Sequence, residues 1–118
     1  MRQKLDPASL RAAWWALLAL RKTRRALRRD RVTDVVVGAP PELPDRAGRG
    51  VRAILRRADP TCLERALVLQ AWDVAHGAPR DVVIGVKGKD DQFTAHAWLD
   101  GEPDDHGPYQ ELMRVPAS

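Results

Sequence analysis

The hydrophobic pattern has a helical period in the first two thirds of the chain and an alternating period in the last third. Between residues 7 and 29, apolar side chains recur every three or four positions, which predicts one long amphipathic helix. Asp6 is the expected N-cap, and Pro7 suits the first helical position. The predicted apolar face of this helix consists of Leu10, Trp14, Leu17, Leu18, Leu20 and Leu27.

Two shorter helices are predicted after it. Residues 32–37 are a β-branched run that either ends the first helix or is extended, and residues 38–50 hold three prolines and three glycines, typical of a loop. Residues 51–57 predict a short helix, starting as early as Asp45, that packs Val51, Ile54 and Leu55 inward. The third helix, residues 62–75, begins with a capping box of Thr61 and Glu64 and ends at Gly77.

Alternating residues then predict a small antiparallel sheet. Residues 81–86 and 92–99 have strand composition, with a polar turn over residues 87–91. Asp100-Gly101 is a hairpin signal, so a third strand is expected to begin over residues 102–105, beside the second. The tail to residue 118 is expected to add one more short extended element.

The predicted fold class is therefore α+β, with N-terminal helices followed by a central cysteine-bearing helix on a small antiparallel sheet. At 118 residues the chain is expected to form one compact domain. Within it, residues 1–50 would supply a basic helix and a Pro/Gly-rich connection, and residues 51–118 the core.

Charge is distributed unevenly along this pattern. Residues 1–57 carry 15 Lys/Arg against 5 Asp/Glu, whereas residues 58–118 carry 5 against 11. Seven of the eleven residues from 21 to 31 are basic. A solvated helix end explains part of this run, and contact with an acidic partner or an anionic membrane surface are the alternatives. No recognised nucleic-acid-binding motif accompanies the charge, so no nucleic-acid partner is expected.

The first helix is also a candidate docking surface. Trp14 and Trp15 are adjacent, so they cannot both face one core, and one of them is expected at the surface. The predicted docking residues for a partner or precursor are Trp14, Trp15, Arg21, Arg24, Arg25 and Arg28.

A single cysteine excludes an internal disulfide and fits a reducing compartment, so a cytoplasmic location is expected. The longest apolar run, residues 12–20, is nine residues long. It is too short to span a bilayer, and its basic residues mostly follow it, unlike those of a secretory signal.

That cysteine is also the main candidate for chemistry. Cys62 falls in the first turn of its helix, where free N–H groups and the helix dipole favour a thiolate nucleophile. A nucleophilic cysteine needs a base and a group that orients the base. His96, mid-strand between two alanines, is the candidate base. A three-residue hairpin loop would place Asp104 opposite His96, and a two-residue loop would place Asp105 there.

Each of these residues also has a plain structural interpretation. Cys62 is interpreted alternatively as a buried structural residue of a non-catalytic binding module that works through the basic helix. A zinc site is not expected, because the chain has no second cysteine and no paired-ligand spacing. His76 and His106 are interpreted as surface residues near turns. No cofactor is expected, since no glycine-rich phosphate loop occurs.

Several short segments together resemble a known family. Residues 60–63 (Pro-Thr-Cys-Leu), 65–70 (Arg-Ala-Leu-Val-Leu-Gln), 83–86 (Val-Ile-Gly-Val), 95–99 (Ala-His-Ala-Trp-Leu) and 100–101 (Asp-Gly) carry the resemblance. Their order is similar to that of transglutaminase-like and papain-like cysteine proteases. More narrowly, it resembles the leader peptidase of lasso-peptide biosynthesis, over about residues 51–113.

The resemblance implies a Cys62–His96–Asp triad, with Asp104 favoured over Asp105, and the backbone N–H of Cys62 as an oxyanion donor. It implies hydrolysis of a ribosomally made precursor through a thioester acyl-enzyme; acyl transfer by the same triad is the alternative. No recognition domain precedes residue 51, so a stand-alone protease of the split type is expected. Its implied partners are the precursor peptide, a separate leader-binding protein and the lasso cyclase.

Overall fold

Three helices and a three-stranded antiparallel sheet make up the protein, as the α+β prediction required. The computed structural model describes residues 6–89, 92–102 and 109–117. Two single-turn 3₁₀ helices, Val32–Asp34 and Asp45–Ala47, lie in the connection before the second helix. The main elements are α1 (Pro7–Arg29), α2 (Gly48–Ala58), α3 (Cys62–Ala75), β1 (Val82–Lys89), β2 (Gln92–Leu99) and β3 (Gln110–Val115).

Helix α1 begins and ends where its sequence predicts, but only part of the predicted apolar face is buried. Leu20 is 1% exposed and Leu27 packs against the core, as predicted. The Asp6 carboxylate accepts the N–H of Ser9 at 2.8 Å, confirming the N-cap. Leu10, Trp14 and Leu18, predicted to face the core, are 56, 62 and 36% exposed. The buried face is mostly small instead, comprising Ser9, Ala12, Ala13, Ala16, Ala19, Leu20 and Thr23.

The close approach of α1 and α2 explains why small residues of α1 are buried while Leu10, Trp14 and Leu18 are exposed. Gly50 of α2 lies so near the backbone of Ser9 that an added Cβ would overlap the Ser9 carbonyl oxygen. Large side chains cannot fit at such a crossing, so the helices meet through Gly50 and the alanines of α1. The prediction is wrong for Leu10, Trp14 and Leu18 because size complementarity, as well as hydrophobicity, selects the face that packs against α2.

Helix α3 lies at the centre of the hydrophobic core. Ala66, Leu67, Val68, Leu69 and Trp72 are at most 8% exposed, so this helix is buried on most of its circumference. Buried residues of both other helices and of all three strands pack around it. Gly77, with φ of +76°, follows it, as the predicted left-handed C-terminal cap requires.

The sheet has the order β2-β1-β3, and its third strand is the extended element predicted in the tail. β1 and β2 are antiparallel, with Gly85 opposite His96 and Val83 opposite Trp98. The turn predicted over residues 87–91 is wrong at residues 87–89, which continue β1 and pair with β2. The third strand of the described sheet, β3, pairs with β1 rather than with β2. The strand predicted to start over residues 102–105 is wrong at Glu102, which closes a turn by donating its N–H to the Leu99 carbonyl at 3.1 Å.

A buried glutamine fixes β3 and the start of β1 against α3. The amide nitrogen of Gln70 donates to the carbonyl oxygens of Arg80 and Val115, at 2.8 and 3.0 Å. The bond to Val115 is buried and the bond to Arg80 is partly buried, so losing Gln70 would leave the Val115 carbonyl without this donor inside the core. Within the described part of the chain, no helix has the length and hydropathy needed to cross a membrane.

Candidate active site

Cys62 occupies the first turn of α3, behind a complete capping box. Thr61 Oγ1 accepts the N–H of Glu64 at 3.2 Å, and Glu64 Oε1 accepts the N–H of Thr61 at 2.9 Å. The N–H of Cys62 itself has no intrahelical acceptor, because the first N–H groups of any helix lack one. The cap therefore leaves a donor at Cys62, at the positive end of the helix dipole.

A basic residue of α1 braces this cap. Arg24 Nε lies 3.1 Å from Glu64 Oε1, and one of its terminal nitrogens donates to the Ala58 carbonyl at 3.2 Å. The Glu64 side chain is only 12% exposed. Arg24 thus joins the end of α1 to the segment that turns the chain into Cys62.

The Cys62 thiol lies against the edge of β2. Its Sγ accepts the backbone N–H of Ala97 at 3.3 Å, and Ala97 directly follows His96. Ala97 lies in the core face of the strand and is 5% exposed. The half-buried thiol therefore lies at the junction of α3 and β2, against the backbone of the residue that follows the candidate base.

A second link holds the same junction. Glu102 Oε1 accepts the N–H of Leu99 at 3.0 Å and lies 3.7 Å from a guanidinium nitrogen of Arg65 on α3. Gly101, with φ of +89°, allows the turn that brings Glu102 back to Leu99. Alternate N–H groups of β2 thus bind Cys62 and Glu102, so α3 is fixed to this strand at two neighbouring points.

His96 lies in a small aromatic cluster. Its ring stacks on Trp98, with centroids 5.5 Å apart, and lies 5.2 Å from the ring of Tyr109. Lys87 Nζ is 4.8 Å from the centre of the Tyr109 ring. The sequence pattern did not identify Tyr109, because it lies beyond the hairpin turn and carries no motif.

Gly85 makes room for this cluster. It lies opposite His96 in β1, and a Cβ there would come 2.8 Å from the Trp98 ring. Only a glycine lets the indole lie flat across the strand at this position. Gly85 is within the Val-Ile-Gly-Val segment, so its spatial role gives that segment a physical meaning.

The other predicted site residues either lie outside the described part of the chain or belong to α1. Asp104 and Asp105, the alternative third members of the triad, and His106 lie outside the described residues. Trp14 is exposed, whereas Trp15 is half-buried, its indole nitrogen donating to the Gly38 carbonyl at 3.3 Å. Of the predicted docking arginines, Arg24 instead pairs with Glu64, and Arg21, Arg25 and Arg28 are exposed.

His76 is not the surface residue that the sequence predicted. Its Nδ1 lies 2.7 Å from the Trp72 carbonyl oxygen and its Nε2 lies 2.9 Å from that of Leu43, and its side chain is 14% exposed. These carbonyl contacts raise the pKa of His76, mainly through the bond to Trp72, and nearby Asp45 adds to the effect. This histidine joins α3 to the preceding loop and belongs to the framework rather than to the Cys62 site.

Metal-binding groups do not gather in the described residues. Over residues 6–89, 92–102 and 109–117, no three His, Cys, Asp or Glu side chains come close enough to hold an ion. The described junction itself holds the Cys62 thiol, with a helix N-terminus behind the sulfur and the backbone N–H of Ala97 as its donor.

Comparison with known families identifies the family of the chain. The sequence matches the family described as the transglutaminase-like superfamily over residues 6–114. The chain belongs to the transglutaminase-like superfamily. No match is found among curated proteins or solved structures.

Membership covers nearly all of the described fold, including α1 and its connection to α2. A transglutaminase-like domain indicates cysteine-dependent chemistry, either peptide hydrolysis or acyl transfer. Cys62 is the only cysteine in the sequence, so within this superfamily it is the residue on which such chemistry would depend.

Proposed function

We propose that this transglutaminase-like protein is a cysteine peptidase that removes the leader segment of a ribosomally made lasso-peptide precursor. The observation that carries the proposal is the bond from the Ala97 N–H to Cys62 Sγ, which puts the thiol one residue along β2 from His96. The resemblance of residues 60–70 and 83–101 to lasso leader peptidases supplies the substrate class.

The proposed reaction has two halves. His96 accepts the proton of the Cys62 thiol, and the sulfur attacks the carbonyl carbon of the scissile amide. The N–H of Cys62 donates to the oxyanion. His96 then protonates the leaving amine, the C–N bond breaks, and a thioester remains. A water molecule, deprotonated by His96, attacks the thioester and releases the leader as a carboxylate, with the thiol restored.

An aspartate shortly after the Asp100-Gly101 turn would hold the imidazole in the productive tautomer. Asp104 is the first candidate and Asp105 the second. The proposal assigns Trp98 and Tyr109 a supporting role, because their rings flank His96 and limit its rotation.

The proposed peptidase acts with other proteins. A separate leader-binding protein would present the precursor, and a lasso cyclase would use the released core peptide. A single reducing compartment suits all three proteins and the free thiol, so the cytoplasm is the proposed location.

The test is incubation of the purified protein with a candidate precursor and its leader-binding protein, followed by mass measurement. Wild type should yield two fragments whose masses sum to the precursor plus one water, and Cys62→Ala should yield none. An exposed-residue variant such as Leu112→Ala should match wild type. Cleavage that persists in Cys62→Ala would refute the proposal.

Acyl transfer is the second candidate, because superfamily membership includes it and both reactions use one acyl-enzyme. Adding a primary amine to the same reaction distinguishes them. Hydrolysis leaves a free carboxylate on the leader fragment, whereas transfer leaves an amide heavier by the amine minus water. A thiol unreactive toward alkylating reagents would instead favour a binding module without catalysis.

A further inference from the structure

The outward face of α1 carries large apolar side chains that the described fold leaves exposed. Leu10, Trp14 and Leu18 are 56, 62 and 36% exposed. They recur every four residues, so they form one stripe about 12 Å long on a single helix face. Scattered apolar residues are ordinary on a protein surface, but a contiguous stripe that includes a tryptophan is typical of an interaction site.

The stripe lies in a shallow, open groove. Arg11, Trp15 and Pro41 line it as well, and its volume is about 490 Å³. Trp15 forms a fixed wall, since its indole bonds to the Gly38 carbonyl and its ring lies 6.0 Å from that of Trp72. A groove with a fixed wall suits the side chains of a folded or helical protein better than a flat lipid surface.

Charge on the same face selects the kind of protein. Arg21, Arg25 and Arg28 continue the stripe toward the end of α1 and are exposed. Helix α1 carries seven Lys/Arg and no Asp/Glu. A symmetric dimer through this stripe would oppose two strongly basic helices, so that arrangement is disfavoured, and an acidic surface is the complementary one.

We propose that the stripe of Leu10, Trp14 and Leu18 docks a protein that inserts apolar side chains into the groove and faces Arg21 and Arg25 with carboxylates. The inference rests on the proposed function only in taking the leader-binding protein as the first candidate partner. The docking itself does not require the chemistry of Cys62, so the two proposals can fail separately.

The experiment places a photo-crosslinking amino acid at position 14 of the full chain in the cells that naturally make it. The matched control carries the same amino acid at position 112, since Leu112 is 64% exposed on β3. Crosslinked products are identified by mass spectrometry, and the protein that is found is purified. Its affinity is then measured for wild type, Trp14→Ala, Leu10→Ser and Leu112→Ala, after circular dichroism has shown each variant to be folded.

The expected result is a product specific to position 14 that contains one protein with an acidic surface. Its dissociation constant should rise at least about tenfold in Trp14→Ala and Leu10→Ser, and stay unchanged in Leu112→Ala. Binding should weaken with added salt. Crosslinks only to lipid or to a second copy, no product above the position-112 control, or equal affinity in all variants would overturn the inference. If docking holds while Cys62→Ala still cleaves precursor, the proposed peptidase function fails and the surface stands.

Discussion

Arg24 of α1 and Glu64 of α3 form an ion pair, 3.1 Å between Nε and Oε1, directly behind the helix start that carries Cys62. The same carboxylate oxygen accepts the N–H of Thr61. The most basic segment of the chain is therefore partly structural, because one of its arginines fixes the geometry of the candidate nucleophile.

Replacing Arg24 with alanine should lower the free energy of unfolding by about 1–2 kcal/mol, since a charge-assisted bond to the part-buried Glu64 is lost. Denaturant unfolding measures this. Arg25→Ala removes the same charge from the next residue of the helix, which is exposed, and a change within about 0.5 kcal/mol is expected there. Equal losses in the two variants would mean that net charge, not the pair with Glu64, sets the effect.

The rate of Cys62 alkylation should depend on His96. If His96 acts as base for the thiol, His96→Ala should reduce the rate of iodoacetamide modification at pH 7 by roughly tenfold or more. His76→Ala serves as the control histidine, because its ring bonds to the Trp72 and Leu43 carbonyls. Rates that are the same in wild type and His96→Ala would argue for a structural cysteine.

Gly50 and Gly38 provide a matched pair of glycine-to-alanine changes. Gly50→Ala forces a methyl group into the Ser9 carbonyl and should destabilise the protein by about 3 kcal/mol. An added Cβ at Gly38 meets no atom within 4 Å, so Gly38→Ala should change stability by less than about 1 kcal/mol. Thermal unfolding followed by circular dichroism would compare them. A tolerant Gly50 would contradict the close α1–α2 crossing.

Gly85→Ala tests the aromatic cluster around His96. The methyl group would displace the Trp98 ring, against which His96 stacks, so precursor cleavage should fall by roughly tenfold or more. Leu112→Ala is again the surface control. The decrease should appear in kcat rather than in KM, because the displaced group orients the base and does not hold the remote leader.

The contacts of the His76 ring predict that the free energy of unfolding depends on pH. A carbonyl oxygen only accepts hydrogen bonds, so both ring nitrogens are satisfied only in the protonated imidazole. The folded-state pKa is therefore raised above the ordinary value. This stabilisation is fully present below the unfolded-state pKa and is lost as pH rises through the folded-state pKa.

The melting temperature of wild type should therefore decrease between pH 6 and 8.5 by more than that of His76→Gln. Asp45, 3.8 Å from Nε2, and Asp73 both favour the charged ring, so Asp45→Asn should weaken the dependence. Parallel pH profiles for wild type and His76→Gln would show that another group is responsible.

Local signals located the starts of α1 and α3, whereas β1 continues to Lys89 through residues predicted as a turn. The Asp6 side chain and the Thr61–Glu64 capping box accept N–H groups only a few residues away in the sequence. The starts of α1 and α3 are therefore predictable from local sequence. The β1–β2 pairing also followed from composition and a short turn. The contact between Cys62 Sγ and the N–H of Ala97, which follows His96, likewise results from where α3 begins and where β2 runs.

The hydrophobic pattern did not predict how segments distant in the sequence pack together. The buried face of α1 depends on Gly50 of another helix, and the pairing of β3 with β1 depends on where the chain goes after Glu102. Neither is encoded in the hydrophobic period of the segment concerned. The aspartate of the proposed triad falls in residues 103–108, outside the described part, so that member remains a prediction.

The bond from the Ala97 N–H to Cys62 Sγ has a consequence for solubility. In the described sheet β2 is an edge strand, and exposed edge donors invite pairing with other chains. Cys62 and Glu102 occupy the outward N–H groups of Ala97 and Leu99, so they protect this edge from aggregation. Cys62→Ala would uncover the Ala97 donor, whereas a serine hydroxyl could still accept from it. Cys62→Ser is therefore the better inactive form for preparing a stable complex with precursor.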